Sequence, residues 1–290
     1  MIRRGTVLVL FMAAALVASA AACRTLPPAE GKLGVAVTIL PQVEFVEAVG
    51  GARVTVSAMV PPGANPESYE PRPAQLAALA GAGMYAKLGS GIDFELAWMD
   101  RLAAANPQML IIDGSKDIQL LAGQATEHGA VDPHVWSSPL SASIIVQNIH
   151  DGLVQIDPAN AGEYARNRDA YQEELTELDA YARQSFSSLA RRVFLVYHPA
   201  WGYVARDYGL TELAIEEGGK EPTAARLVQV VAQARQLGIE VVFVSPEFST
   251  RSAEVVARDI GGRVEVLDPL ARDYVDNMRQ VINRLAGAMR

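Results

Sequence analysis

The chain has 290 residues, half of them hydrophobic, with 25 Lys and Arg set against 33 Asp and Glu for a formal charge of −8. So acidic a chain speaks against nucleic acid and against a polybasic membrane patch, and it suits cations as partners. One cysteine excludes an internal disulfide framework, and the apolar content suffices for one large domain or two ordinary ones without staples.

Residues 1–22 read as an export leader. Arg3 and Arg4 make a basic start, Val7 to Ala18 is apolar but short for a membrane span, and Ser19 to Ala22 are small. Ala20-Ala21-Ala22-Cys23 resembles a bacterial lipoprotein cleavage box, with Ala20 where leucine is more usual. Cys23 would then be the lipidated start of a tether over 23–32. Cleavage after Ala-x-Ala, leaving a free thiol, is the alternative. A lone cysteine in an exported chain favours lipidation.

Apolar, β-branched runs then recur at Leu33–Ile39, Arg53–Val60, Met84–Leu88, Met109–Ile112, Val193–Tyr197, Glu240–Val244 and Val264–Leu267. Helical patterns separate them at Gln42–Val49, Pro73–Ala80, Pro139–Ile156, Thr223–Leu237 and Thr250–Ile260. Alternation of this kind, with strands apolar throughout, predicts an α/β fold with parallel sheets. From Asp157-Pro158 the pattern stays helical to Leu189, with Tyr164, Tyr171, Leu175, Leu178, Ala182 and Leu189 on one stripe. At 1.5 Å per residue such a helix is roughly 45–50 Å long, too long for either half alone. It reads as a strut over 157–189 between an N-terminal lobe, 33–156, and a C-terminal lobe, 190–290. A surface helix of one large domain is the alternative. A strut implies smaller lobe motion than a flexible hinge.

Ligands of open α/β sheets bind beyond the carboxyl ends of the strands. His198 directly follows Val193–Tyr197, Asp268 follows Val264–Leu267, Glu247 lies just past Val244, and Glu67 and Glu70 sit in the loop after the second strand. Two of the four histidines have matching surroundings, Asp132-Pro133-His134-Val135-Trp136 and Tyr197-His198-Pro199-Ala200-Trp201. Each imidazole has a rigid proline beside it and a tryptophan close enough to shield it, which points to a pre-formed metal site between the lobes.

In order along the chain stand Val37-Thr38-Ile39-Leu40-Pro41, Val60-Pro61-Pro62-Gly63, Tyr69-Glu70-Pro71, Asp132-Pro133-His134-Val135-Trp136, His198-Pro199-Ala200-Trp201-Gly202-Tyr203, Asp207-Tyr208-Gly209-Leu210 and Leu267-Asp268-Pro269-Leu270. Together these resemble the metal-binding receptors of ABC importers (cluster A-I), the group that includes zinc, manganese and iron receptors, over essentially the whole chain after the leader. The resemblance implies two βα lobes bridged by one long helix, a monomer, a divalent metal ion as ligand and a membrane permease as partner. It also implies four ligands, which fall at Glu67, His134, His198 and Asp268.

Asn65-Pro66-Glu67 departs from the Asp-Pro-His usual in the family, so the site becomes two imidazoles and two carboxylates, unless Glu67 points to solvent. Asp268 has an alternative role as a cap before Pro269-Leu270, and Glu70 and Glu247 read as supporting partners. His128, where zinc receptors often carry a histidine-rich loop, reads as a solvated residue, and His150 as structural. His198 stands where the zinc-type members carry histidine and the manganese-type glutamate, so zinc is expected first. Glu67 favours manganese or iron as the alternative. A metallohydrolase would need an open coordination position and a base, and no His-Glu-x-x-His spacing appears. A metal-independent adhesin is the other alternative.

Overall fold

The apolar run that opens the folded region becomes β1 (Leu33–Val37), flanked in one parallel sheet by β2 (Val54–Ala58) and β3 (Met84–Lys87). The computed structural model describes residues 31–123 and 131–290. β4 (Leu110–Asp113) completes the order β2-β1-β3-β4. Helices α1 (Pro41–Gly50), α2 (Pro73–Ala78), α3 (Asp93–Ala105) and α4 (Pro139–Ile156) lie between or after these strands. As its Ser-Pro signal predicts, α4 starts with Ser138 accepting the Leu140 N–H and Pro139 in the first turn.

α5 (Ala161–Phe186) leads to a second parallel sheet of the same order. Its strands are β5 (Val193–Val196), β6 (Thr211–Ala214), β7 (Val241–Val244) and β8 (Arg263–Val266), ordered β6-β5-β7-β8. α6 (Gly202–Tyr208), α7 (Ala224–Gln236), α8 (Arg251–Ile260) and α9 (Tyr274–Ala288) accompany them. β5 and β7 are apolar throughout because both faces are covered. Phe194, Val196, Val241 and Phe243 face the main core, while Leu195, Val242 and Val244 face a smaller one under α7 and α8. β6 was not among the predicted strands, because its Thr-Glu-Leu-Ala sequence lacks the continuous apolar character of its neighbours.

The long helix is shorter than its sequence pattern. Pro158–Asn160 forms a separate 3-10 turn, since Asp157 has non-helical φ and ψ (−137° and 64°), and the α-helix proper has 26 residues, about 39 Å at the standard rise. Its buried stripe is Tyr164, Tyr171, Leu175, Leu178, Ala182 and Phe186. The helix packs on α1 and α4 of the first sheet and on α6 and α9 of the second. One continuous core therefore runs through both lobes. Glu44 of α1 ties the three helices together. It accepts the Tyr171 hydroxyl at 2.6 Å and the backbone N–H of Tyr274 and Val275, at the positive end of α9. No helix among the described residues is long and apolar enough to cross a membrane. The leader, Cys23 and His128 lie outside the described residues.

Candidate metal centre

Glu67, Glu70, His134, His198, Glu247 and Asp268 stand in loops that follow the strands, and the loops of the two sheets bring Glu67, His134 and His198 together. Among the described residues, Glu67, His134 and His198 are the one group of three metal-type side chains within mutual reach, their donor atoms all lying within 4.8 Å of each other. Glu67 comes from the loop after β2, where its N–H donates to the Asn65 side chain at 2.8 Å in a turn that fixes its direction. His134 precedes α4. Asp132 Oδ1 accepts both its backbone N–H and its ring Nδ1–H, each at 2.9 Å. His198 directly follows Tyr197 at the end of β5, and its Nδ1 lies 2.9 Å from Glu216 Oε2.

These pairings decide what the two rings present. A carboxylate beside each Nδ1 holds the proton there, so each Nε2 carries a bare lone pair. The two Nε2 atoms are 3.3 Å apart, and Glu67 Oε1 is 3.4 Å from that of His198. Three electron-rich atoms thus converge with no proton of their own between them, which favours a cation at their midpoint. A tetrahedral ion about 2.0–2.1 Å from each nitrogen separates neighbouring donors by about 3.3–3.4 Å. The two edges at His198 Nε2, 3.3 and 3.4 Å, fit that size.

The walls shield the two imidazoles. His134 and His198 are 8% and 7% exposed, while the Glu67 side chain keeps 27%. Trp136 packs beside His134 with ring centres 5.2 Å apart, and its indole N–H donates to Pro269 O across the cleft at 2.7 Å. For His198 the shield is Phe248, stacked at 4.5 Å and 20°. Trp201, the expected shield, is buried in the core instead. The point of convergence opens into a cavity of about 30 Å³, room for an ion or one water. A wider cavity of about 590 Å³ adjoins it on the β5–β6 side.

Two further carboxylates, both from the unpredicted β6 edge, position His198. Glu216 continues that edge and is 3% exposed. Glu212 accepts the Trp201 N–H at 2.9 Å and so fixes the loop carrying the histidine. Burial pushes the Glu212 carboxyl up, to about 8, with the Asp132 charge adding to the rise and the Trp201 N–H and His198 opposing it. At Asp132 burial pushes the same way, but the hydrogen bond and charge of His134 outweigh it and hold the carboxyl below its usual range. Gly202 is required here, since a Cβ on it would lie 2.4 Å from Asp132 Oδ2. Asp132 was legible as part of a motif, but its role was not.

The remaining candidates lie elsewhere. Asp268 Oδ1 accepts the Leu270 N–H at 2.8 Å, and its carboxylate lines a separate cavity of about 370 Å³. Glu247 borders both that cavity and the small one. Glu70 is exposed and borders neither. His150 sits in α4 with Nδ1 on Asp151 at 2.9 Å, outside the cluster.

A match to the family described as zinc-uptake complex component A, periplasmic (ZnuA), runs over residues 35–288. The chain is 28% identical over 283 residues to the high-affinity zinc uptake system protein ZnuA of Bacillus subtilis, covering 89% of this chain and 88% of that one. It is also 28% identical over 264 residues to the zinc-binding lipoprotein AdcA of Streptococcus pneumoniae, covering 86% of this chain but 52% of AdcA, so it spans about half of that relative. Among solved structures, a crystal structure of ZnuA aligns with a TM-score of 0.86 and 39% identity over 90% of this chain and 100% of that one. The two-lobed α/β fold expected from the strand and helix pattern is the fold of that structure, and the chain belongs to the ZnuA family of periplasmic zinc-uptake components.

Proposed function

We propose that the chain is an extracytoplasmic receptor that captures a divalent transition metal, zinc first, and delivers it to the membrane permease of an ABC importer. The observation that carries this reading is the convergence of two imidazole Nε2 atoms and a carboxylate oxygen, with edges of 3.3 and 3.4 Å at His198 and all within 4.8 Å of one another. Glu67, His134 and His198 hold the ion, while Asp132 and Glu216 fix the rings and raise their basicity. We read residues 1–22 as the leader, Cys23 as the lipidated residue, 23–32 as the tether, and 33–156, 157–189 and 190–290 as lobe, linking helix and lobe. The ion is cargo here, and the site is read as a carrier's rather than an enzyme's. Manganese or iron is the alternative cargo, because Glu67 makes the donor set harder than one of imidazoles alone.

The test is competition of the purified protein with a chelating dye for zinc and for manganese. His134→Ala and His198→Ala should each lose at least a hundredfold in zinc affinity. Unchanged affinity in either variant would falsify the site. Because both rings must be neutral to bind, affinity should also fall as the pH is lowered.

A further inference from the structure

Three donors leave a tetrahedral ion one position short, and two carboxylates stand near enough in the fold to compete for it. Asp268, which the sequence motif offers, is already engaged: its Oδ1 accepts the Leu270 N–H, the Ala271 N–H also reaches its carboxylate, and it faces the cavity behind the site. Glu247 is placed differently. It lies in the Ser245-Pro246-Glu247-Phe248 turn after β7, which the Phe248 N–H closes onto Ser245 O at 3.2 Å. The next residue, Phe248, is the ring stacked on His198. The same turn thus fixes both the wall behind the imidazole and the neighbouring carboxylate. Glu247 lines the small cavity together with Glu67, His134 and His198, and Asp268 does not.

Glu247 Oε2 is shut off from solvent and has no hydrogen-bond partner among the described residues. A carboxylate oxygen in that condition is costly unless a cation or proton meets it. On the metal-receptor reading above, we propose that Glu247 supplies the fourth ligand, so that the centre is two imidazoles and two glutamates, one glutamate from each lobe. Its oxygens stand outside the 4.8 Å group formed by the other three, so Glu247 joins by turning about its own side chain once the ion is present. The environment agrees: burial pushes the Glu247 carboxyl up, Asp268 adds to the rise, and its own N–H and His198 pull it back. Asp268 then serves as the cap of the Leu270 turn and as a negative neighbour behind Glu247.

The experiment uses the whole chain and zinc ion alone. Glu247→Gln keeps the shape and removes the charge. It should weaken zinc at least tenfold in dye competition, leave the metal-free melting temperature unchanged or higher, and remove one oxygen donor from the zinc-edge X-ray absorption spectrum. Affinity within twofold of the parent protein overturns the proposal, as does a larger loss in Asp268→Asn than in Glu247→Gln. Retention of zinc by His198→Ala would instead overturn the receptor reading itself, so the two failures are distinguishable.

Discussion

Glu216→Gln isolates what a group that never touches the ion contributes to holding it. The Glu216 carboxylate is 3% exposed and meets His198 Nδ1 at 2.9 Å, so both partners of this bond are dry. Glutamine keeps the volume and an accepting oxygen but loses the charge that fixes the proton on Nδ1 and raises the basicity of Nε2. Its amide can also turn a donor toward the ring, which then has no reason to keep Nε2 bare. Changes behind a ligating imidazole typically cost 10–100-fold in metal affinity. At about 1.4 kcal/mol per tenfold this is roughly 1.4–2.8 kcal/mol. Dye competition reads it directly, with thermal melting to show that the variant folds. Glu217→Gln, one residue on and exposed, is the control and should bind as the parent does. Should Glu216→Gln bind zinc within twofold of the parent, the carboxylate is not setting the ring's tautomer, and the argument for two bare Nε2 atoms fails at His198.

Glu67→His replaces an oxygen donor by nitrogen and should move the zinc-to-manganese affinity ratio further toward zinc; an unaltered ratio in paired titrations would remove Glu67 from the site. Glu44→Ala strips a carboxylate from the Tyr171 hydroxyl and two N–H groups of α9, and should destabilise the fold by about 2–3 kcal/mol. Urea unfolding measures it, and a loss under about 0.5 kcal/mol would mean that the lobes are not tied there. The Glu212 carboxyl rises from about 4.3 unfolded to about 8 folded. Between those values the folded chain keeps a proton that the unfolded chain has lost, so this group's contribution to stability falls as pH rises through the interval. Glu212→Gln should flatten that part of the stability profile, and an unchanged slope would show that Glu212 does not titrate there.

What the sequence carried and what it hid divide along physical lines. Strands buried on both faces announce themselves by composition alone, as β5 and β7 do, and a residue just past such a strand is placed at the sheet's carboxyl edge without further knowledge. His198 and Asp268 were located this way, and Glu67 and His134 through loop position and motif. β6 escaped because only every second residue matters there: Glu212 and Glu216 stand four apart, two residues either side of Ala214 at the end of an edge strand, and a short acidic alternation reads as a loop. Which carboxylate lies behind which imidazole depends on sheet order, and β6 pairs with β5 although α6 separates them in sequence. Phe248 had no local signal either, since it reaches His198 from β7 on the other side of β5. Asp132 did have one. An aspartate two residues before a histidine accepts the backbone N–H in a tight turn, and that turn also sets the distance to the ring.

The ties between the lobes bear on how an ion enters. Trp136 donates to Pro269 O at 2.7 Å, the Tyr203 hydroxyl donates to Asp132 O at 2.8 Å, the Ser138 hydroxyl donates to Asp207, and Arg272 pairs with Glu47 at 2.6 Å. The first three lie in buried or half-buried surroundings and bracket both sides of the centre, and α5 and α9 carry one core through both lobes. Rotating the lobes apart would break several of these bonds together, each costing about 1 kcal/mol or more once its partners are left unpaired. Moving Glu67 breaks none of them. It is the least buried of the three converging donors, its side chain 27% exposed where the two histidines are 8% and 7% exposed. The imidazoles are therefore the fixed part of the centre, pinned by Asp132 and Glu216, and the glutamate is the part that can yield. If the chain carries the ion as proposed above, its capture and release through that one side chain would need far less rearrangement than opening the cleft. The long helix α5, packed on helices of both sheets, favours the same route.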